Sequence, residues 1–262
     1  MVRHLVDIAG CPVTVRGMFR VTRHGAREML IGSVVLAVVA VVLDRFVFWP
    51  LALLILPVLI WLFAFFRDPD REIPADQDVM VSPADGTVSD ISELPNDEFL
   101  QEPAVRLGIF LSVFNVHINR SPCDGVVLET HYKKGKFINA MRHQLASDEN
   151  ESNTVVLGDP QSHKPIAVVR QIVGLIARRI IFSADKGQSL RRGERIGMIK
   201  FGSRTELTVP KSLEPQVMVK VGQTVRGGAD ILLKLGKPIH TTIPAPQQPE
   251  EFERTAPRET PA

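Results

Sequence analysis

The chain has 262 residues, enough for one large domain or two small ones. Its formal net charge of +2 argues against a nucleic-acid partner, and its single Tyr and two Trp argue against an aromatic platform for bases or sugars. Cys11 and Cys123 lack any CxxC spacing, so we expect two free thiols in a reducing compartment. The seven His residues do not cluster, and no metal site is predicted.

Residues 30–66 are the most apolar part of the chain. Residues 30–43 carry no charge, Asp44 and Arg45 interrupt the run, and residues 46–66 are again uncharged. The second run has the roughly 20 residues that cross a bilayer core, whereas the first run is shorter. The pattern predicts a membrane-associated helical hairpin over 30–66 that turns at Asp44 and Arg45.

The hairpin is flanked by arginines on both sides, and its second limb contains Pro50 and Pro57, which we expect to kink it. A basic N-terminal segment, 1–29, precedes it, and no small-residue cleavage site of a signal peptide follows it. By the positive-inside rule both flanks are cytoplasmic, which predicts a location at the cytoplasmic face of the cell membrane. The flanking arginines are Arg3, Arg16, Arg20, Arg23, Arg27, Arg67 and Arg71.

Residues 67–240 consist of short β-type runs separated by turn residues, which predicts a mainly β catalytic domain. Asp85-Gly86 and Asp124-Gly125 are typical of hairpin turns, and residues 137–145 are compatible with one short helix. The tail, 241–262, is rich in Pro, Glu and Thr, and we expect it to be disordered.

Within this region the pattern G-Q-[ST]-[LV]-R-x-G-x-x-I occurs twice, at residues 187–196 and 222–231. Two copies of a tight turn that leads into a strand predict a pseudo-symmetric pair of β-hairpins. That arrangement is typical of the barrel-sandwich fold of biotinyl and lipoyl domains. No Lys stands at an exposed tip in a carrier-type setting, so a swinging-arm function is not expected.

Three short motifs contain candidate chemical groups: S-P-A-D-G at residues 82–86, F-N-V-H-I-N-R at residues 114–120, and F-G-S-R at residues 201–204. Taken singly, the first and third are compatible with plain turns. The histidine of the second, His117, is compatible either with a hydrogen-bonded core residue or with a general base.

In this order, and after an N-terminal membrane hairpin, the three motifs resemble the phosphatidylserine decarboxylase family in its short form. The resemblance covers residues from about 25 to 235 and includes K-G-K-F at residues 134–137. The longer form of the family has a second His three residues before the shared one, where this chain has Phe114. The resemblance therefore implies that another group assists decarboxylation here.

The resemblance implies that the Ser203 hydroxyl attacks the carbonyl of Gly202, with His117 as base and Asp85 as its partner. Cleavage would give a large β subunit, 1–202, and a small α subunit, 203–262, that begins with a pyruvoyl group. This covalent cofactor would convert phosphatidylserine to phosphatidylethanolamine and CO2 through a Schiff base, beside membrane lipids. Arg204 and nearby basic residues are candidates to meet the substrate phosphate or carboxylate.

Three other functions remain open at this point. A serine hydrolase would use Asp85, His117 and Ser203 as a standing triad, although no G-x-S-x-G elbow is present. A membrane-anchored adaptor with a lipoyl-like domain would normally carry heptad repeats, which are absent from this sequence. A pyruvoyl decarboxylase of a soluble amino acid would leave the membrane hairpin unexplained.

Overall fold

The computed structural model describes residues 21–46, 49–76, 78–138, 147–174, 179–200, 203–237 and 239. The chain divides into two compact units, Met1–Asp70 and Arg71–Ala262. In the described residues the first unit is helical and the second is built from strands. The prediction of a mainly β domain preceded by hydrophobic helices is confirmed.

The first limb of the apolar segment is a single helix, α1 (Ala26–Phe46). It continues through Asp44 and Arg45, so the predicted turn at these two residues is wrong. Their side chains are 58% and 75% exposed, so neither charge is buried by the helix. Arg45 also lies in the last turn, where a positive charge interacts favourably with the helix dipole.

The second limb is a 3-10 helix, Trp49–Leu54, followed by a short helix, α2 (Ile55–Phe65). Pro57 lies in the first turn of α2, where its missing N–H removes no helical hydrogen bond. Contrary to prediction, the first limb is therefore the long one. Among the described residues, Ala26–Arg45 is the one stretch long and apolar enough to cross a bilayer by length and composition.

The second unit contains three sheets among its described residues. An eight-stranded sheet has the order β13-β2-β3-β11-β7-β6-β5-β9, and two three-stranded sheets have the orders β1-β14-β12 and β4-β10-β8. All strand pairs are antiparallel. The strands are β1 (Val79–Val81), β2 (Gly86–Leu94), β3 (Ala104–Leu111), β4 (Ile118–Arg120), β5 (Gly125–Lys133), β6 (Ser152–Gly158), β7 (Pro165–Val173), β8 (Arg179–Phe182), β9 (Ser189–Leu190), β10 (Arg195–Lys200), β11 (Ser203–Pro210), β12 (Pro215–Val217), β13 (Thr224–Val225) and β14 (Ile231–Leu235).

Strand β11 lies in the interior of the large sheet, between β3 and β7. Every residue of β11 is buried. Because side chains alternate across a strand, Leu207 and Val209 enter the main apolar core while Arg204 and Glu206 lie on the opposite face. The main core also receives Leu107 from the neighbouring strand β3.

A pseudo-two-fold repeat organises the turns of the β unit. The G-Q repeat was recognised from the sequence, but each copy contacts a second repeat that was missed, S-P-A-D-G-T-V at residues 82–88 and S-P-C-D-G-V-V at residues 121–127. The backbone N–H of Ser82 donates to Asp230 and that of Ser121 to Glu194, both at 2.8 Å. The two halves therefore share the same local hydrogen bonds.

The repeats do not form the hairpins predicted for them. Each G-Q copy contributes one short strand to the large sheet, β9 or β13, and one strand to a small sheet, β10 or β14. Likewise, the turn before Gly86 joins β1 to β2, and the turn before Gly125 joins β4 to β5, in different sheets. The helix predicted at 137–145 lies almost entirely outside the described residues, and the tail predicted to be disordered, 241–262, lies wholly outside them.

Candidate active site

The three sequence motifs are brought together around β4. The backbone N–H of Arg120 donates to the carbonyl of Pro83 at 2.9 Å, which joins β4 to the S-P-A-D-G turn. The side-chain amide of Asn119 donates to Thr205 Oγ1 at 3.0 Å, which joins β4 to the beginning of β11. Segments far apart in the sequence therefore form one cluster.

Asn119 lies at the centre of this cluster and is fully buried. Its carbonyl oxygen accepts a hydrogen bond from Gln171 Nε2 at 2.9 Å, and Gln171 Oε1 accepts one from Asn153 at 3.1 Å. The sequence-based reasoning missed both Asn119 and Gln171. Asn119 stands in the recognised N-V-H-I-N-R motif, so a signal existed for it, whereas only the fold identifies Gln171.

Ser203 is the first residue of β11, and its partners across the sheet are Leu111 and Val173. The residue has no exposed surface. Among the described residues its Oγ has no hydrogen-bond partner. An unsatisfied buried hydroxyl is costly, and a catalytic role is one of the explanations for such a group. The hydroxyls of Ser92 and Ser183 are likewise unpartnered within the described part of the chain, so the position of Ser203 in the F-G-S-R motif is what distinguishes it. Gly202, the other half of the predicted cleavage site, lies outside the described residues.

His117 is fully buried immediately before β4. Its Nδ1 lies 3.0 Å from the carbonyl oxygen of Asn115. A carbonyl oxygen only accepts, so Nδ1 carries the proton and Nε2 carries the lone pair of the neutral ring. The carbonyl of His117 accepts from the N–H of Ile199, at 3.3 Å, which places the histidine beside the end of β10, three residues before Gly202.

Within the described contacts Asp85 is not hydrogen-bonded to His117, the partnership that the resemblance implied. Its Oδ2 accepts from Arg71 Nη2 at 2.7 Å, and its Oδ1 accepts from the N–H of Gly227 at 2.8 Å. The Asn115 carbonyl occupies the orienting position at the imidazole instead. Burial raises the pKa of Asp85, and the positive charge of Arg71 opposes that rise.

Arg204, a candidate for contact with the substrate, is buried and ion-paired with two carboxylates. Its guanidinium is 1% exposed and pairs with Asp90 at 2.7 Å and with Glu206 at 3.0 Å. Glu206 also accepts from the Ser147 hydroxyl at 2.6 Å. Gly108 makes room for this group, because a Cβ there would lie 2.1 Å from the guanidinium. Arg204 is thus a structural ion-pairing residue.

Phe114 is 72% exposed in a turn before His117. The turn is closed by the side chain of Asn115, which accepts from the N–H and the hydroxyl of Ser112 at 2.9 and 2.8 Å. A phenyl ring cannot transfer a proton, so this position supplies no acid or base. Cys123 is a free buried thiol, and burial raises its pKa to about 12, which leaves it protonated and unreactive.

Comparison with known proteins identifies the family. The profile of the phosphatidylserine decarboxylase family matches residues 58–233. The chain is 42% identical to a phosphatidylserine decarboxylase proenzyme of Rhodopirellula baltica over 212 residues, 81% of this chain and 87% of the relative. It is 44% identical to one from Solidesulfovibrio magneticus over 206 residues, 78% and 92% of the two chains. It is 42% identical to one from Carboxydothermus hydrogenoformans over 185 residues, 71% and 84%. This chain therefore belongs to the phosphatidylserine decarboxylase family.

Proposed function

We propose that this chain cleaves itself between Gly202 and Ser203 and then decarboxylates phosphatidylserine to phosphatidylethanolamine. The observation that carries the proposal is the Ser203 hydroxyl, which is buried and without a partner among the described residues. The relatives' name, proenzyme, supports a chain that is processed before it acts.

Self-cleavage begins when Ser203 Oγ attacks the carbonyl carbon of Gly202. The C–N bond of the peptide breaks and an ester C–O bond forms, while a base takes the hydroxyl proton and returns it to the departing nitrogen of Ser203. Loss of the Ser203 Cα proton then expels the Gly202 carboxylate and leaves a dehydroalanine. One water then hydrolyses this enamine to a pyruvoyl group and releases its nitrogen as ammonia.

His117 is the base we assign to the first step. In its neutral form the ring donates from Nδ1 to Asn115 and keeps its lone pair on Nε2, the state that a general base requires. Asp85 adds a negative charge beside the motif cluster, which would favour the protonated imidazolium. Its contribution is electrostatic, since its oxygens contact Arg71 and Gly227.

The residues at this position fit the group that cleavage would generate. The pyruvoyl group supplies the electron-withdrawing carbonyl that loss of CO2 from an α-amino acid needs. It would begin β11, where β3 and β7 flank the strand and Thr205 is hydrogen-bonded to Asn119. These contacts would fix the position of the group, and the burial of Ser203 would exclude bulk water.

Association with the bilayer is consistent with a lipid substrate. The apolar helix α1 has a mean hydropathy of 2.2 over its candidate span. Arginines lie at both ends of the apolar segment, at Arg27 and Arg67. These ends lie together, because the N–H of Thr22 donates to the carbonyl of Phe66 at 2.9 Å and Val21 forms a β-bridge with Arg67. We infer a site at the cytoplasmic face, where such charges are retained and attract anionic headgroups.

A serine hydrolase receives less support. No G-x-S-x-G elbow surrounds Ser203, and the similar proteins are named phosphatidylserine decarboxylase proenzymes rather than hydrolases.

Intact-mass analysis of the purified protein tests the proposal. We expect two chains, 1–202 and 203–262, with the smaller chain starting as a pyruvoyl group. Ser203→Ala should remain a single chain, while Ser189→Ala, at an exposed serine of β9, should cleave like the wild type. An intact wild-type chain, or cleavage of Ser203→Ala, would contradict self-processing. A cleaved enzyme that releases no CO2 from phosphatidylserine vesicles would contradict the substrate.

A further inference from the structure

Asp85 and Asp124 occupy equivalent positions in the two S-P-x-D-G turns, which makes each a control for the other. Asp85 Oδ1 accepts from the N–H of Gly227 at 2.8 Å, and Asp124 Oδ1 accepts from the N–H of Arg192, also at 2.8 Å. This shared backbone bond belongs to the turn itself. It does not explain what is particular to Asp85.

The second oxygen distinguishes the two carboxylates. Asp85 Oδ2 lies 2.7 Å from Arg71 Nη2, and the two side chains are 13% and 12% exposed. Asp124 forms no corresponding ion pair within the part of the chain that the structure describes. The ion pair with Arg71 is therefore particular to the first turn, which contains Asp85.

We propose that Arg71 is a positioning residue. It holds the Asp85 carboxylate in place and keeps it ionised during self-cleavage. The inference rests on the proposed function, since it assigns Arg71 a role in the same site. Among the described contacts Arg71 has no hydrogen bond to Ser203, so the proposed role acts through the Asp85 carboxylate.

The charges around Asp85 support this assignment. Burial raises the pKa of Asp85, while Arg71 and, less strongly, Arg120 lower it. Arg226 also attracts Asp85, but it is paired with Asp230 and largely exposed, so solvent screens it. Arg71 is the one cation within hydrogen-bond distance among the described residues, and its loss should have the largest effect.

The sign of the effect follows from the charge. Without Arg71 the pKa of Asp85 rises further, so at a given acidic pH a smaller fraction of Asp85 is ionised. If the anion assists proton uptake by His117, the acid limb of the rate of self-cleavage moves to higher pH. A neighbouring arginine lowers a carboxyl pKa by about 1–3 units, so we expect a shift of about one pH unit or more for Arg71→Gln.

The experiment follows cleavage of freshly made full-length chain. The protein is synthesised in a cell-free system with phosphatidylserine-containing liposomes, moved to buffers between about pH 5 and pH 9, and quenched for gel analysis. Arg71→Gln and Arg71→Met are compared with a control, Arg192→Gln. Arg192 lies beside the second S-P-x-D-G turn, and its side chain donates to the carbonyl oxygen of Val79 at 3.1 Å. We expect an upward shift in both Arg71 variants, no shift in Arg192→Gln, and near wild-type behaviour in Arg71→Lys.

Acid limbs of Arg71→Gln and Arg71→Met that coincide with the wild type would overturn the assignment. A shift of the same size in Arg192→Gln would also overturn it, because stability loss would then explain the effect. If neither neutral variant folds, Arg71→Lys decides. It keeps the charge, and a folded Lys variant that cleaves about tenfold more slowly at every pH would contradict the charge role. Failure of the wild type itself to cleave would instead refute the proposed function.

Discussion

Burial affects three side chains of the β unit in different ways because each meets different partners. The Cys123 thiol meets an apolar environment and stays protonated. His117 meets the Asn115 carbonyl, which fixes the proton on Nδ1. Asp85 meets a guanidinium and a backbone N–H, both of which stabilise its anion against the desolvation that raises its pKa. Burial thus gives an inert thiol, an oriented imidazole and a supported carboxylate.

At the residue scale we predict that His117→Asn loses most self-cleavage. Asparagine keeps polarity and approximate size but cannot accept the hydroxyl proton, so the rate should fall by about 100-fold or more. The fraction of cleaved chain over time, measured by gel densitometry, gives the rate. His131→Asn is the matched control, because His131 is half exposed and pairs with Glu129 away from β11. Wild-type rates in His117→Asn would exclude this histidine as the base.

Strand β11 connects the proposed cleavage point to the core of the β unit. Ser203 opens the strand, and the next residue, Arg204, lies on the face opposite to the main core. Its pair with Glu206 is almost fully buried, whereas its partner Asp90 is partly exposed. Removing one partner of a buried pair leaves uncompensated charge. The F-G-S-R motif therefore places the proposed nucleophile next to a structural arginine.

At the element scale we predict that Arg204→Met strongly destabilises the strand. When Arg204→Met is added to the uncleaved Ser203→Ala chain, the free energy of unfolding of the protein should fall by about 3–5 kcal/mol, because Asp90 and Glu206 lose their cation. Lys211→Met is the control, since Lys211 and Glu93 form an exposed pair and its loss should change stability by about 0–1 kcal/mol. Urea denaturation followed by circular dichroism measures both. Equal effects in the two variants would show that the buried network adds nothing.

The fold as a whole surrounds the proposed cleavage point with strands from both product chains. β11 would belong to the small chain, while its neighbours β3 and β7 would belong to the large one. β14 would likewise pair with β1 across the two chains. The main core draws residues from both, among them Leu107 and Leu207.

At the scale of the molecule we therefore predict that the two chains stay together after cleavage. Size-exclusion chromatography in native detergent buffer should elute both chains in one peak, and only denaturant should separate them, because separation would expose two neighbours of a central strand. Uncleaved Ser203→Ala should elute at the same volume. Dissociation of the wild-type chains in native buffer would contradict this architecture.

Much of the molecule follows from local patterns. The apolar run, the β-type runs and the G-Q repeat predicted hydrophobic helices before a two-fold β unit, because burial and turn geometry are both encoded over a few residues. The positions where the helices begin and end were harder to predict from the sequence. An exposed Asp44 and Arg45 do not end α1, and Pro57 sits in the first turn of α2 without breaking it.

The tertiary structure decided which partners the motif residues meet. The family resemblance of the motifs supplied Ser203, His117 and Asp85, but a hydrogen bond depends on packing between distant segments. Only the fold shows that Asn115 holds the imidazole, that Arg71 holds Asp85 and that Asn119 joins β4 to β11. It also assigns Arg204 to the interior rather than to a lipid headgroup, because the missing Cβ of Gly108 and two carboxylates make a buried place for its charge.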